Sequence, residues 1–238
     1  MKLLRRLLCT TVLLGLTGAA FAAPATAPKE GEQYQVLPQK LDTPAGKQVE
    51  VIEFFSYACP HCNAFEPVLE NWVKKQGDNI VFRRVHVDAG QRGLAQQRLY
   101  YTLESLGMLG QYHGKAFAAM HQQRLRLADD EAVLAWAAQA GIDRARFLDA
   151  YRSFGVQAKV RRAGAMMNEY KVDHWPLVAV DGRFITSPSM ATEGQPHDHK
   201  HDETEQQAST LQVRDVLVAR AKVEKTADRN AGKGADRK

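Results

Sequence analysis

The sequence contains few cysteines, and this scarcity excludes a fold held together by many disulfide bridges. Its 238 residues include three cysteines, at positions 9, 59 and 62, whereas disulfide-stapled domains use many bridges in few residues. A long hydrophobic run is also absent, because the apolar stretch 7–16 is too short to span a bilayer. The sequence has no second C-x-x-C pair, which argues against a structural zinc site, since such sites usually combine two ligand pairs.

The positive charge lies mainly at the two ends of the chain. The formal net charge is +5, but Lys2, Arg5, Arg6 and the segment 222–238 account for the excess. The remaining body is nearly neutral and gives no sign of the basic face that a nucleic-acid partner requires. The segment 225–238 has few apolar residues and predicts a disordered basic tail.

The N-terminus has the pattern of a secretory signal. Basic residues precede the apolar stretch 7–16, and Ala20-Phe21-Ala22 resembles a cleavage site. We therefore expect residues 1–22 to be removed on export, with an uncleaved anchor as the less favoured alternative. Cys9 would leave with the signal, and two cysteines in an exported chain suit an oxidising compartment.

The rest of the chain predicts a small α/β unit interrupted by helices. Segments 49–57 and 80–87 have strand patterns, and 63–76 has one apolar helical face. From Gly93 to Tyr170 the periodicity is helical throughout. Asp181-Gly182 between two apolar segments predicts a β-hairpin. The predicted division is 23–47 as an N-terminal extension with a short strand, 48–89 and 156–224 as the α/β domain, 90–155 as an inserted helical subdomain, and 225–238 as the tail.

Cys59-Pro60-His61-Cys62 carries the chemistry. The four residues lie between a predicted strand and a predicted helix, so Cys59 should stand at a helix N-terminus. There the unpaired N–H groups and the helix dipole favour its thiolate. A bridge to Cys62 would close so short a loop that it would stabilise the fold only weakly. We therefore interpret the pair as a redox centre, in which Cys59 exchanges with substrate and Cys62, better buried, resolves the mixed disulfide.

The residues between the two cysteines are expected to tune the pair. A cationic His61 would stabilise the Cys59 thiolate and hence the reduced form. Where the thiolate already dominates, each unit of pKa depression is worth about 1.4 kcal/mol, or roughly 30 mV. Pro60, the other intervening residue, is assigned the same tuning role. The pattern therefore favours a protein that donates disulfides.

Metal binding is the alternative from a different functional class. The cysteine pair with His61, and the run His197-Asp198-His199-Lys200-His201, could offer ligands to zinc or copper. We favour a redox centre for the first and a solvated loop for the second. No metal and no cofactor are predicted.

Glu53-Phe54-Phe55-Ser56 leading into the Cys59–Cys62 motif resembles the periplasmic DsbA family of thiol:disulfide oxidoreductases. The resemblance covers about 49–223, and the helical insert is similar in placement and size to that of the family. It implies an α/β fold class, a thioredoxin fold with an inserted all-helical subdomain. The implied function is a periplasmic dithiol oxidase that donates the Cys59–Cys62 disulfide to newly exported proteins.

The resemblance also assigns residues outside the motif. Pro176 would form a cis peptide facing the disulfide, and Trp175 and Phe65 would line a substrate groove. Glu53 would help to move protons near Cys62, with Arg84 in place of a family lysine; a purely structural ion pair is the alternative. A bulky Trp175 departs from the family pattern, in which this position is usually smaller.

The partners follow from the same resemblance. We expect unfolded exported proteins as substrates, a DsbB-like quinone-linked membrane protein as the reoxidant, and a monomer. A disulfide isomerase or reductase of the same fold is the alternative within the class. Isomerases of this fold usually carry an N-terminal dimerisation domain, and 23–47 is too short to be one.

Overall fold

The computed structural model describes residues 27–193 and 202–235. The predicted signal 1–22 and the histidine-rich run 197–201 lie outside these residues. The strands are β1 Gln35–Val36, β2 Val49–Phe55, β3 Ile80–His86, β4 Leu177–Val180 and β5 Phe184–Thr186. The helices are α1 Pro60–Gln76, α2 Gln91–Ser105, α3 Leu109–His121, α4 Asp130–Gln139, α5 Arg144–Arg152, α6 Phe154–Glu169, α7 Pro188–Ala191 and α8 Glu203–Ala235.

The strands form one mixed sheet in the order β1-β5-β4-β2-β3. β2 pairs in parallel with β3 and antiparallel with β4, and every residue of β2 is buried. Successive side chains of a strand point to opposite faces. Val49 and Val51 accordingly pack with residues of α1 and α8, while Ile52 and Phe54 pack with the helices between β3 and β4. Glu53 falls in the row of Val49 and Val51, beneath α1.

The hairpin between β4 and β5 confirms the Asp181-Gly182 prediction. Both residues have positive φ, 53° and 64°, as the central residues of a type I′ turn do. A Cβ on Gly182 would clash with the carbonyl oxygen of Leu41. The turn therefore needs glycine both for its conformation and for the close approach of the N-terminal extension.

Helices α2 to α6 separate β3 from β4 and confirm the helical insertion. The side chains of Asp129 and Asp143 cap α4 and α5 by accepting from Ala132 N and Arg146 N, the role that aspartate commonly has at a helix N-terminus. Buried residues of these helices join one core with the near face of the sheet. The boundaries 90–155 stay a prediction; in the structure α6 begins at Phe154.

The C-terminal segment differs from its prediction. We expected a disordered tail from Lys225, but α8 continues to Ala235. At the start of this segment, Lys225 Nζ lies 2.8 Å from Oδ1 of Asp181, which is buried, and donates to the carbonyl oxygen of Gln48. Residues 236–238 lie outside the described part. Within the described residues, the helices include none with the length and apolarity needed to cross a membrane.

Candidate active site

Cys59 is the N-cap of α1, and Pro60 is its first residue. The chain enters the cap in an extended conformation, with φ −85° and ψ 118°, and the backbone N–H of Cys62 donates to Cys59 Sγ over 3.3 Å. Proline at the first helical position costs nothing there, because that N–H has no helical partner. Both cysteines are free thiols. The structure therefore shows the reduced pair, with one sulfur at the helix tip as predicted.

The two sulfurs have opposite environments. Cys59 is partly exposed and Cys62 is fully buried. A hydrogen bond from the Cys62 thiol, the N–H groups of Cys62 and His61, and the charge of His61 outweigh partial burial and lower the pKa of Cys59 from 9.0 to about 6. Burial and the neighbouring Cys59 raise the pKa of Cys62 far above its ordinary value. At neutral pH, Cys59 is therefore mostly thiolate and Cys62 a thiol.

His61 contributes less than the sequence suggested. His61 and Pro60 are both exposed. The charge of His61 does lower the pKa of Cys59, but its effect is smaller than that of the Cys62 thiol or of the backbone N–H groups. The neighbouring thiol is the larger stabiliser of the thiolate.

A groove beside Cys59 contains Trp175 and Pro176. The Trp175–Pro176 peptide is cis, and the carbonyl oxygen of Trp175 lies 3.8 Å from Cys59 Sγ. This places the proline next to the reactive sulfur, as the resemblance implied. The lining residues of the groove are His61, His174, Trp175, Pro176, Pro188, Ser189, Gln206 and Gln207.

Phe65 does not line this groove, contrary to expectation. Its side chain is fully buried in the core on the α1 and α8 side of the sheet, and the guanidinium of Arg214 lies 5.0 Å from its ring centroid. Its place on α1 turns it away from the surface that holds Cys59. The groove is lined instead by residues from α7 and the start of α8, which the sequence analysis did not assign.

Arg84 is hydrogen-bonded to Glu53 beneath the helix. Arg84 Nε donates to Glu53 Oε2 over 3.0 Å, and Glu53 is fully buried. Burial, reinforced by the negative charge of Glu66, raises the pKa of Glu53 to about 8 despite the attraction of Arg84 and Arg214. Glu53 also raises the pKa of Cys62 through its charge. The carboxyl group therefore holds a proton at neutral pH in electrostatic range of the buried sulfur.

Sequence reasoning missed three residues that extend this pair. Arg84 Nη2 donates to Glu66 Oε1 over 2.6 Å. Glu66 Oε2 faces Nε2 of His113 at 3.4 Å, and His113 Nδ1 lies 2.8 Å from the hydroxyl of Tyr57. Glu66 follows the second cysteine by four residues, so it lies on the same helical face, and this spacing could have identified it. Nothing in the local sequence indicates His113.

Arg214 is a further buried charge that the sequence did not reveal. Its side chain is fully buried, and its guanidinium lies 5.0 Å and 4.5 Å from the ring centroids of Phe65 and Trp72. Its two terminal nitrogens have no hydrogen-bond partner among the described residues. Burial lowers the pKa of Arg214 to about 9, while the charges of Glu53 and Asp215 oppose the change. Helix α8 thus brings a second cation toward Glu53.

Known proteins match both the sequence and the fold. A DSBA-like thioredoxin domain matches residues 50–199. The thiol:disulfide interchange protein DsbA of Burkholderia cepacia is 43% identical over 190 residues, which cover 78% of this chain and 89% of that protein. The chain belongs to the DsbA family. DsbA of Bordetella parapertussis is 41% identical over 191 residues, covering 76% of this chain and 89% of the relative.

Solved DsbA structures agree with the architecture. Pseudomonas aeruginosa DsbA superposes with a TM-score of 0.72 at 27% identity, covering 85% of this chain and 95% of that one. Reduced DsbA1 from Neisseria meningitidis gives 0.69 at 26% identity, covering 85% and 100%. The predicted thioredoxin fold with a helical insertion is thereby confirmed, and the protein is a thiol:disulfide oxidoreductase of the DsbA family. The matched domain includes the cysteine pair and Trp175–Pro176 and ends before α8.

Metal ligands do not cluster in the part of the chain that the structure describes. No group of three or more histidine, cysteine, aspartate or glutamate side chains is arranged to hold an ion there. The run 197–201, proposed above as a possible ligand source, lies outside the described residues. The cysteine pair is better explained by redox chemistry.

Proposed function

We propose that this protein is a periplasmic dithiol oxidase, which passes the Cys59–Cys62 disulfide to unfolded exported proteins. One observation carries the proposal: the partly exposed Cys59 has a pKa of about 6, beside a buried Cys62 whose pKa is raised. A stabilised thiolate favours the reduced state and makes the disulfide a stronger oxidant. At pH 7, a pKa of 6 in place of 9 is worth about 1.4 kcal/mol, or about 30 mV.

The reaction proceeds in two exchanges. A substrate thiolate attacks Sγ of Cys59; the bond between Cys59 and Cys62 breaks, and Cys62 leaves with the electron pair. A second substrate thiolate then attacks the substrate sulfur of the mixed disulfide, and Cys59 leaves as a thiolate. The substrate is oxidised by two electrons and the enzyme is reduced by two. The low pKa of Cys59 makes it a good leaving group in the second step.

The first exchange needs a proton at Cys62. A buried thiolate is unfavourable, so Cys62 leaves readily only if its sulfur receives a proton as the S–S bond breaks. Glu53 is the candidate donor, because its pKa of about 8 keeps it protonated at neutral pH. Arg84, hydrogen-bonded to Glu53, balances the charge that remains. His61 and Pro60 act at the exposed sulfur, and Trp175 and Pro176 present the substrate backbone to it.

The decisive experiment mixes the oxidised protein with a reduced, unfolded substrate that has two cysteines. One equivalent of substrate disulfide should form per equivalent of protein, and Cys59→Ser should form none. Equilibration with glutathione should give a potential well above the roughly −270 mV of thioredoxin. A potential near that value would reverse the direction of transfer.

The alternatives predict different results. Efficient refolding of a scrambled substrate by the purified protein alone would favour an isomerase. Stoichiometric zinc or copper in the reduced protein would favour a metal-binding protein. We further propose a monomer that a DsbB-like quinone-linked membrane protein reoxidises; mixed-disulfide trapping with Cys62→Ser tests that partner.

A further inference from the structure

Two carboxyl groups share one guanidinium beneath the active-site helix. Arg84 donates through Nε to Glu53 and through Nη2 to Glu66. All three side chains are largely removed from water, with side-chain exposures of 0% for Glu53, 12% for Glu66 and 17% for Arg84. Two carboxylates this close to one cation resist ionising together. The protein must therefore determine which of them keeps a proton.

His113 breaks the symmetry, because it faces only one of the two carboxyl groups. Its Nε2 lies 3.4 Å from Glu66 Oε2. The contact is long for a hydrogen bond, and neither atom has a hydrogen-bond partner among the described residues. A carboxylate oxygen can only accept, so Nε2 must carry the ring proton for the pair to be favourable. Nδ1 of the neutral ring then accepts a hydrogen bond from the hydroxyl of Tyr57 over 2.8 Å.

Helix α3 holds the ring in this orientation. His113 lies near the start of α3, and His121 at the end of the same helix also contacts Tyr57, because His121 Nε2 lies 2.8 Å from the carbonyl oxygen of Tyr57. The His113 ring packs edge-on against Phe55 and Phe117, each with its centroid 5.2 Å away. Tyr57 precedes Cys59 by two residues. The insert is therefore fixed both to the segment that leads into the cysteine pair and to the carboxyl group behind it.

We propose that His113 is a positioning residue that keeps Glu66 ionised and thereby leaves the proton on Glu53. This rests on the oxidase function proposed above, in which Glu53 supplies the proton for Cys62. The pKa values agree with it. Contacts with His113 and Arg84 outweigh burial and lower the pKa of Glu66, while burial and the charge of Glu66 raise that of Glu53. The helical insert thus takes part in the acid–base chemistry of the site.

Several elements contribute further ionisable groups around the network of Glu53, Arg84, Glu66 and His113. Burial lowers the pKa of both His113 and His86, so both rings are neutral near pH 7. Burial raises the pKa of Tyr57 and Tyr100, so both hydroxyls stay protonated. The charged or titratable groups facing the network are Cys62, Glu66 and Glu70 of α1, Tyr57, Arg84 and His86 of the β2–β3 region, Tyr100 of α2, and Arg214 of α8.

The test follows the carboxyl protons directly. Carbon-13 carboxyl titration of the glutamate-labelled oxidised protein, with Glu53→Gln and Glu66→Gln for assignment, gives both midpoints. In His113→Leu the titration midpoint of Glu53 should fall by about one pH unit, and the midpoint of Glu66 should rise. Each unit corresponds to a tenfold change in the ratio of protonated to ionised carboxyl group. His113→Gln, which keeps an N–H donor, should restore most of the wild-type values. Phe117→Leu is the matched control, because it loosens the same cluster without a contact to either carboxyl group.

Each outcome decides the question. Unchanged Glu53 and Glu66 midpoints in a folded His113→Leu protein would show that the histidine only packs, and the proposal would fall. If His113→Leu does not fold, Tyr57→Phe replaces it; freeing Nδ1 should shift both midpoints in the same directions by a smaller amount, and no shift would overturn the proposal. If the wild-type protein fails to oxidise substrate, the proposed oxidase function is wrong. The His113 proposal is still tested in that case, because the titration shows whether Glu53 or Glu66 holds the proton.

Discussion

Replacing Cys62 by alanine should raise the pKa of Cys59 more than any change to His61. The structure places two donors from Cys62 on the Cys59 sulfur, namely its thiol and its backbone N–H. Alanine removes the thiol and keeps the N–H, so the variant isolates one hydrogen bond. His61 is exposed, and water screens its charge.

The magnitude follows from the strength of that bond. A hydrogen bond to a charged group contributes about 1.5–3 kcal/mol, and each pKa unit corresponds to about 1.4 kcal/mol. Since Cys59 is partly exposed, solvent screening reduces the effect to the lower end. We therefore expect the pKa of Cys59 to rise from about 6 by about one unit. An uncharged glutamine at His61 should raise it by less than half as much.

Ultraviolet absorbance of the thiolate measures the change. Without the predicted signal 1–22, Cys62→Ala contains one cysteine, so its absorbance change belongs to Cys59 alone. Cys62→Ser is the matched control, because its hydroxyl still donates and should hold the pKa near that of the wild type. Thermal unfolding verifies that each variant is folded. If His61→Gln moves the midpoint further than Cys62→Ala does, the ranking of the two stabilisers is wrong.

Three further predictions concern stability and rate. Because the folded pKa of Cys59 is depressed from 9.0 to about 6, the reduced form should gain stability over Cys59→Ser as pH rises from 6 to 9, by about 2 kcal/mol after allowing for solvent screening. Urea unfolding across that range should show this slope, and a flat difference would contradict it. Glu53→Gln should slow reduction of the disulfide by a small thiol by about tenfold or more in stopped-flow fluorescence; an unchanged rate would remove Glu53 as proton donor. Lys225→Met should cost about 2 kcal/mol in urea unfolding, because it takes one cation from the buried Asp181, whereas Lys74→Met, at an exposed pair, should cost almost nothing.

The features predicted best from sequence are those set by neighbouring residues. The N-cap position of Cys59 follows from a strand, a proline and an amphipathic helix in succession. The Asp181-Gly182 turn follows from the conformations that its two residues tolerate. The buried strand of Val51 and its neighbours follows from its composition. In each case the deciding interactions lie within a few residues, which a sequence displays directly.

The features missed depend on residues far apart in the chain. His113 reaches Glu66 across an insert, and Arg214 reaches Phe65 from the last helix; neither has a local pattern. Phe65 was wrongly assigned to the groove, because the resemblance does not indicate in which direction its side chain points from α1. The helix beyond Lys225 was missed because its composition is that of a solvated segment, whereas its first part is held by Asp181 from another element.

The sulfur of Cys59 also serves as the cap of α1, so chemistry and helix structure share one atom. As a thiolate it accepts from the Cys62 N–H and satisfies an otherwise unpaired group. Once it is joined to Cys62 it carries no charge and is a weak acceptor. In each catalytic cycle the hydrogen bond at the first turn of the helix therefore strengthens on reduction and weakens on oxidation. Hydrogen exchange of the backbone amides of His61 and Cys62 should consequently report the redox state without an added probe.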